Sequence, residues 1–157
     1  MDVSIDVGNY RFNYRVAGLI RNGNEILVHH AFKFNHVTLP GGRVKSGEDS
    51  IMALKREIKE EMGEDVEYVR PVAIVENIFT EEGKKYHEIL IIHELKFMDN
   101  NAYKKEITPI EPPKKDKLEF LWFDIQKENE YGFVPKKLFN TLKENNYNFI
   151  HIINDER

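Results

Sequence analysis

Three glutamates whose spacing fits one face of a helix are the residues of this 157-residue sequence best placed to do chemistry. Glu57, Glu60 and Glu61 lie at positions i, i+3 and i+4, and side chains at that spacing share a helix face about one turn long. Three carboxylates on one turn repel each other unless cations neutralise them. Hard oxygen ligands at this density suit Mg²⁺ or Mn²⁺, so the pattern favours a divalent-metal site.

The residues before these glutamates strengthen that interpretation. Arg56 carries a planar guanidinium that can hold a carboxylate through two hydrogen bonds. Glu48 lies at the predicted start of the helix, where an acid interacts favourably with the helix dipole. Gly41 and Gly42 allow a sharp turn and a close approach of the backbone to a ligand.

A solvated helix face is the alternative interpretation of the glutamates. Lys55 and Lys59 could pair with them on the surface, as charged residues on helices commonly do. That interpretation accounts for the run from Arg56 to Glu61 alone. It gives no reason for the glycine pair or for the spacing of Glu48.

The whole segment resembles the Nudix box, GX5EX7REUXEEXGU, in which U is aliphatic. It reads Gly42, five residues, Glu48, seven residues and then the run REIKEEMG from Arg56 to Gly63. Only the last aliphatic position differs, being Glu64, which concerns packing at the helix end. The resemblance implies the α/β Nudix fold, a mixed β-sheet sandwiched between helices (α/β/α), in one domain over residues 1–157.

The resemblance also implies roles for the residues of the box. The implied ligands of Mg²⁺ or Mn²⁺ are a backbone carbonyl at Gly41 and the carboxylates of Glu57, Glu60 and Glu61. Arg56 would orient the carboxylates, and Glu48 would support the loop. The implied reaction is attack of metal-activated water on a phosphoanhydride. The substrate would be a nucleoside diphosphate linked to another moiety, either resembling ADP-ribose or a nucleotide sugar, or resembling a nucleoside triphosphate.

The general base is open between Glu57 and Glu88. Glu88 lies on a predicted strand and is favoured as an extra ligand or base by resemblance; the alternative is a solvent-facing residue. His87 alternates to the other face, and we expect it to be structural. Among possible substrate contacts, Gly42 and Arg43 could approach a phosphate, although Arg43 could equally be a loop cation.

Other side chains give weaker signals. Aromatic residues that could stack on a base, but that we expect in the core, are Phe32, Phe34, Phe79 and Tyr86. We expect Trp122 to be a packing residue. The lysines at 114, 115 and 117 are expected in a solvated loop.

The elements that must position these residues follow from hydrophobic periodicity and turn residues. A helix is expected over Ser50–Met62, with Ile51, Leu54 and Ile58 in its core stripe and Gly63 ending it. A second helix is expected over Pro135–Leu142. The predicted strands are 13–20, 25–29, 37–39, one or two within 66–79, 86–97 and 118–123. Residues 99–117 are expected to form an exposed connection, and no structure is assigned to 151–157.

Composition limits the remaining classes of function. The chain has 23 basic and 27 acidic residues, a net charge of −4, and no cysteine. This argues against nucleic-acid binding, including processing of mRNA ends, and against disulfides or thiolate metal sites. With no membrane-length apolar run or secretory signal, we expect a cytoplasmic protein. A homodimer is possible. A catalytically silent ligand sensor is the alternative to an enzyme, although every box carboxylate is present.

Overall fold

The computed structural model describes residues 1–104, 106–110, 118–127, 131–144 and 148–157. The predicted lysine cluster at 114, 115 and 117 lies outside these ranges. Within them the strands are β1 (Ser4–Val7), β2 (Tyr10–Asn22), β3 (Glu25–Ala31), β4 (His36–Thr38), β5 (Gly41–Arg43), β6 (Val66–Glu81), β7 (Lys84–Phe97), β8 (Leu118–Asp124), β9 (Gly132–Phe133) and β10 (Ile150–Glu156). The helices are α1 (Ser50–Met62), α2 (Lys136–Lys143) and a 3₁₀ helix (Asn100–Tyr103).

Helix α1 has the predicted bounds because its ends are capped. The Asp49 carboxylate accepts a hydrogen bond from the Met52 N–H at 2.8 Å, which satisfies a donor of the first turn. Gly63, with φ of 73°, ends the helix, and its N–H donates to the Lys59 carbonyl. The buried residues are Ala53, Leu54, Ile58 and Met62. Ile51, expected in this stripe, is only half-buried.

The sheet is mixed, with strand order β10-β6-β7-β2-β3-β4-β9. Strands β1 and β5 also pair with β2, and β8 pairs with β3. The predicted long hairpin is the antiparallel pair β6–β7, whereas β2–β7 and β10–β6 are parallel. The Asn22-Gly23 turn joins β2 to β3, as the sequence predicts.

Two apolar cores lie on opposite faces of this sheet. Along β2, neighbouring residues Val16 and Ala17 belong to different cores, as the alternation of side chains along a strand requires. Leu54 of α1 packs into the core that contains Val16, and Leu138 of α2 packs into the other. The predicted arrangement of a sheet between helices is therefore confirmed.

Two strands were not expected from the sequence. Strand β1 is largely exposed, and in β10 only Ile152 and Asn154 are buried. Strand β1 is only four residues long and its apolar residues Ile5 and Val7 are exposed, and β10 keeps an apolar alternation only at Ile150 and Ile152 before it becomes polar. Both are held by backbone pairing, β1 with β2 and β10 with β6. The sequence assigned no structure to residues 151–157, and the structure places 151–156 in β10.

The connection after β7 is more closely packed than expected. Ala102 in the 3₁₀ helix and Ile107 are buried in the α1 core, so the described part of 99–117 is not wholly exposed. Residues 105 and 111–117 lie outside the described ranges. No helix in the described ranges is both long enough and apolar enough to cross a membrane.

Candidate functional site

The glycine pair at the start of the box, Gly41 and Gly42, lies in β5, a strand rather than the sharp turn expected. Residues Gly41 and Gly42 pair with Ala17 and Val16 of β2. A Cβ on Gly42 would lie 2.2 Å from the Glu57 Cδ, and one on Gly41 would lie 2.0 Å from the Val16 carbonyl oxygen. A side chain at 41 would collide with the backbone of β2, whereas a side chain at 42 would push the Glu57 carboxyl out of its place.

Arg56 joins three carboxylates to the backbone of β5. Its Nε donates to Glu48 Oε1 at 2.6 Å and its Nη2 to Glu48 Oε2 at 2.9 Å, a two-pronged pair. Its Nη1 donates to Glu57 Oε1 at 2.6 Å and to Glu60 Oε2 at 3.1 Å. Its Nη2 also reaches the Arg43 carbonyl at 3.1 Å. One guanidinium thus brings Glu48, Glu57 and Glu60 together beside the glycines.

The two inner carboxylates differ in their electrostatics. The hydrogen bonds from Arg56 are the main cause that lowers the pKa of Glu48 to about 2, which keeps it ionised. For Glu57, burial against Gly42 raises the pKa, and the nearby Arg56 only partly opposes this. Glu57 is therefore the box carboxylate that is desolvated, while Glu48 serves as a stable anchor for Arg56.

The outer part of the glutamate face is more open. Glu60 is half-buried, and Lys45 Nζ lies 3.9 Å from its Oε1. Glu61 is half-buried beside it, and its backbone carbonyl accepts a hydrogen bond from the Ile110 N–H at 2.8 Å. Among the residues described, no three histidine, aspartate or glutamate side chains converge into a ready-made metal-binding group. Glu57 and Glu60 are instead held by Arg56.

A cavity of about 500 Å³ lies on the α2 side of the sheet, and Glu88 is in its wall. Glu88 is only 5% exposed, so the alternative of a solvent-facing residue is wrong. Its Oε1 accepts from Asn13 Nδ2 at 3.1 Å, and its Oε2 from Asn77 Nδ2 at 3.4 Å. Asn154 Nδ2 donates in turn to Asn77 Oδ1 at 2.8 Å. A buried polar network across four strands therefore fixes Glu88.

Arg15 was not anticipated from the sequence. It lines the same cavity, and its Nη1 lies 3.8 Å from Glu88 Oε1. It is also the partner of Arg43 across the β2–β5 pair. Asn77 and Asn154 were likewise missed. A polar residue at a core-facing position of a strand, as at Asn13 and Arg15 before Ala17, is the signal that could have indicated them.

Aromatic side chains form further parts of the cavity wall. Phe34 and His36 line the cavity and stack with their ring centroids 4.9 Å apart. Phe79 also lines it and stacks at 5.0 Å on Tyr86, which is not part of this wall. Phe34 and Phe79 are half-buried and line the cavity, so they are not core residues as we expected. Phe32 is 54% exposed.

His87 and Trp122, which we expected to be structural residues, both pack against aromatic side chains. His87 contacts Phe12 edge to face at 6.0 Å, on the opposite side of β7 from Glu88. Trp122 packs against the α1 core and stacks near Tyr103. Neither residue lines the cavity that contains Glu88.

Comparison with known proteins gives the family. The model of the NUDIX domain matches residues 11–142. The fold is similar to that of a UDP-X diphosphatase, with a TM-score of 0.60 and 17% identity over 88% of this chain. That match spans 66% of the diphosphatase, just under two thirds of its length. No curated protein sequence matches the chain.

Two further solved structures are similar over most of both chains. An ADP-ribose pyrophosphatase from Streptococcus suis 89-1591 has a TM-score of 0.56 and 16% identity, covering 90% of this chain and 98% of that one. A MutT protein from Bacillus halodurans has a TM-score of 0.57 and 20% identity, covering 83% and 82%. At these identities the likeness concerns the fold.

The match over residues 11–142 covers most of the chain, and the chain belongs to the NUDIX-domain family. The family and the fold predicted from the box are confirmed. Two of these structural relatives are described as a diphosphatase and a pyrophosphatase.

Proposed function

We propose that this chain is a divalent-metal-dependent pyrophosphohydrolase that cleaves a phosphoanhydride in a nucleoside diphosphate linked to another moiety. The observation that carries the proposal is the gathering of Glu48, Glu57 and Glu60 by Arg56, directly against the backbone of β5. A solvated helix face would not need a glycine at 42, where any side chain would displace the Glu57 carboxylate.

The donor set fits a hard divalent cation. The groups at this edge of the sheet are carboxylate and backbone oxygens, which Mg²⁺ and Mn²⁺ prefer. The ion would be held by the Gly41 carbonyl and by the carboxylates of Glu57, Glu60 and Glu61. When bound, it would supply Lewis-acid activation of water and screening of the phosphate charges.

The protein's own residues would position the metal ligands and remove the proton from the attacking water. Arg56 would orient the ligand carboxylates, and Glu48 would keep Arg56 in place. We assign proton removal to Glu88, because Arg56 holds Glu57 at 2.6 Å whereas amides hold Glu88 at 3.1 and 3.4 Å. Those longer contacts leave acceptor capacity on the Glu88 carboxylate, which lines the cavity.

The cavity supports a nucleotide-type substrate. Its volume of about 500 Å³ is within the range of small-molecule sites. Stacked aromatic rings in its wall offer a surface for a base, and Asn77 and Asn154 offer amide groups. Arg43 and the backbone at Gly42 would contact phosphate. We also propose that the enzyme acts in the cytoplasm, which the lack of cysteine favours. The homodimer stays a prediction.

The test is hydrolysis with and without metal across ADP-ribose, nucleotide sugars, dinucleoside polyphosphates and nucleoside triphosphates. We expect turnover with Mg²⁺ or Mn²⁺ and none after chelation. Glu60→Gln and Glu61→Gln should each lower kcat by about 100-fold or more, because a metal ligand loses its charge. Circular dichroism should show that both variants keep the fold.

Glu67→Gln is the matched control, since Glu67 is exposed on β6 outside the box. It should leave turnover unchanged. Full activity of both box variants would refute the metal site. A wild-type protein that binds nucleotides but hydrolyses none of them would point to the ligand sensor instead.

A further inference from the structure

A second cavity, of about 700 Å³, has a wall of opposite charge to the first. Of its ten lining residues one is acidic, Asp6, and four are basic, namely Arg11, Arg43, Lys84 and Lys85. We call it the basic cavity. The cavity that contains Glu88 has one arginine against four glutamates in its wall. Because the chain as a whole carries a net charge of −4, the basic cavity is a local concentration of positive charge.

Arg43 connects the basic cavity to the Nudix box. Its backbone carbonyl accepts the hydrogen bond from Arg56 Nη2 at 3.1 Å, and the residue lines the basic cavity. Its partner across the β2–β5 pair is Arg15, which lines the other cavity. Directly opposed residues of antiparallel strands project to the same face. Arg43, one residue after Gly42 of the box, therefore lies in the wall of the basic cavity, and its strand partner Arg15 lies in the wall of the other.

The acids near the basic cavity do not neutralise it. Arg11 lies 3.1 Å from Asp6, and Arg43 lies 3.7 Å from Asp2. The side chains of the two aspartates are 77% and 44% exposed, so these are surface ion pairs of small strength. Lys84 and Lys85 are both exposed near the tip of the β6–β7 hairpin. The hairpin glutamates 81 and 82 line the other cavity.

We propose that the basic cavity binds phosphate groups of the substrate on the far side of the scissile bond. This rests on the proposed function and selects among its substrates. The preferred substrate then carries three or more phosphates in a chain, rather than a diphosphate that ends in a neutral sugar. Arginine forks and lysine ammonium groups bind phosphate well, whereas a neutral sugar would give four cations no counter-charge. The phosphates belong either to a nucleoside triphosphate or to a dinucleoside polyphosphate.

The first test compares kcat/KM for ADP-ribose, ATP and diadenosine tetraphosphate in the wild type and in Lys84→Ala/Lys85→Ala. The wild type should prefer one of the two phosphate-rich substrates over ADP-ribose, and which one it prefers identifies the source of the phosphates. The double variant should lose about 10-fold in kcat/KM on that substrate and less than twofold on ADP-ribose. Lys96→Ala, an exposed lysine near the other end of β7, is the matched control and should change neither.

The second test needs no turnover. Titration calorimetry with inorganic tripolyphosphate in metal-free buffer should show binding that weakens with salt, and that weakens about 10-fold in Lys84→Ala/Lys85→Ala but not in Lys96→Ala. No binding to the wild type, or equal weakening in both variants, would overturn the proposal. An equal loss of kcat/KM on ADP-ribose and on ATP in Lys84→Ala/Lys85→Ala would also overturn it. If tripolyphosphate binds as expected while no substrate is hydrolysed, the proposed function fails and the anion site stands.

Discussion

At the scale of single residues, close packing decides which positions of the box can vary. Gly42 is required because the Glu57 carboxyl occupies the space of its missing side chain, 2.2 Å from an ideal Cβ. From the sequence alone, Gly42 was attributed to a sharp turn and to a close approach of the backbone to a ligand. Only the packing of α1 on β5 shows that the glycine instead admits a carboxylate, and no local pattern encodes that contact.

The variant Gly42→Ala should therefore displace Glu57 without unfolding the protein. We expect a loss of about 100-fold in kcat, since a shift of about 1 Å in a catalytic group can have that effect. The free energy of unfolding should fall by about 1–3 kcal/mol through overpacking. Gly132→Ala is the control, because the nearest atom to its new Cβ would be 3.8 Å away. Activity assays and thermal melting of both variants measure this, and unchanged turnover in Gly42→Ala would contradict it.

A second residue-scale prediction concerns the base. Glu88→Gln keeps the size of the side chain but removes the charge, and it leaves one acceptor oxygen for the two amides of Asn13 and Asn77. If Glu88 removes the proton, kcat should fall by about 100-fold or more and the acidic limb of the pH–kcat profile should disappear. A loss of only a few-fold with an unchanged profile would return the role to Glu57.

At the scale of elements, β3 carries a half-buried histidine, His29, that the fold holds in its neutral form. Burial lowers the pKa of His29 to about 4, with smaller contributions from the charges of Arg15 and His30. Its ring lies 5.5 Å from that of Phe120 on β8. Within the described residues its Nε2 is buried without a hydrogen-bond partner. Protonating this imidazole therefore opposes the pairing of β3 with β8.

The protein should consequently lose stability as the pH falls from about 6.5 to about 4. In that window the unfolded chain binds a proton at His29 that the folded chain does not, so the free energy of unfolding decreases with falling pH. The contribution of His29 is up to about 3 kcal/mol. Urea unfolding at several pH values measures it, and His29→Phe should reduce the dependence to the part left by His36 and His93, whose pKa values burial also lowers. His151→Gln, a change at an exposed position, should leave the pH dependence of stability unchanged. A wild-type free energy of unfolding that does not vary with pH in this window would refute the assignment.

At the scale of the whole molecule, the sequence predicted the parts that repeat a local pattern. Helix α1 has both its caps and its apolar stripe in consecutive residues, and the β6–β7 hairpin has its turn. Strand β10 has no such local pattern. Only two of its residues are buried, and it pairs with β6, which lies far away in the sequence. The carboxylates of the box were predictable for the same reason that α1 was. The cavity could not be predicted, because its wall is assembled from β2, β4, β6, β7, β10 and α2 together.

Strand β10 lies at the edge of the sheet and pairs only with β6 along the described strand order. Such a strand frays more readily than a central one. Yet it contributes Asn154, which lines the cavity and holds Asn77. Filling the cavity and retaining this strand are therefore thermodynamically linked: an occupant that touches Asn154 stabilises the last strand, and detachment of the strand weakens the occupant's affinity by the same free energy.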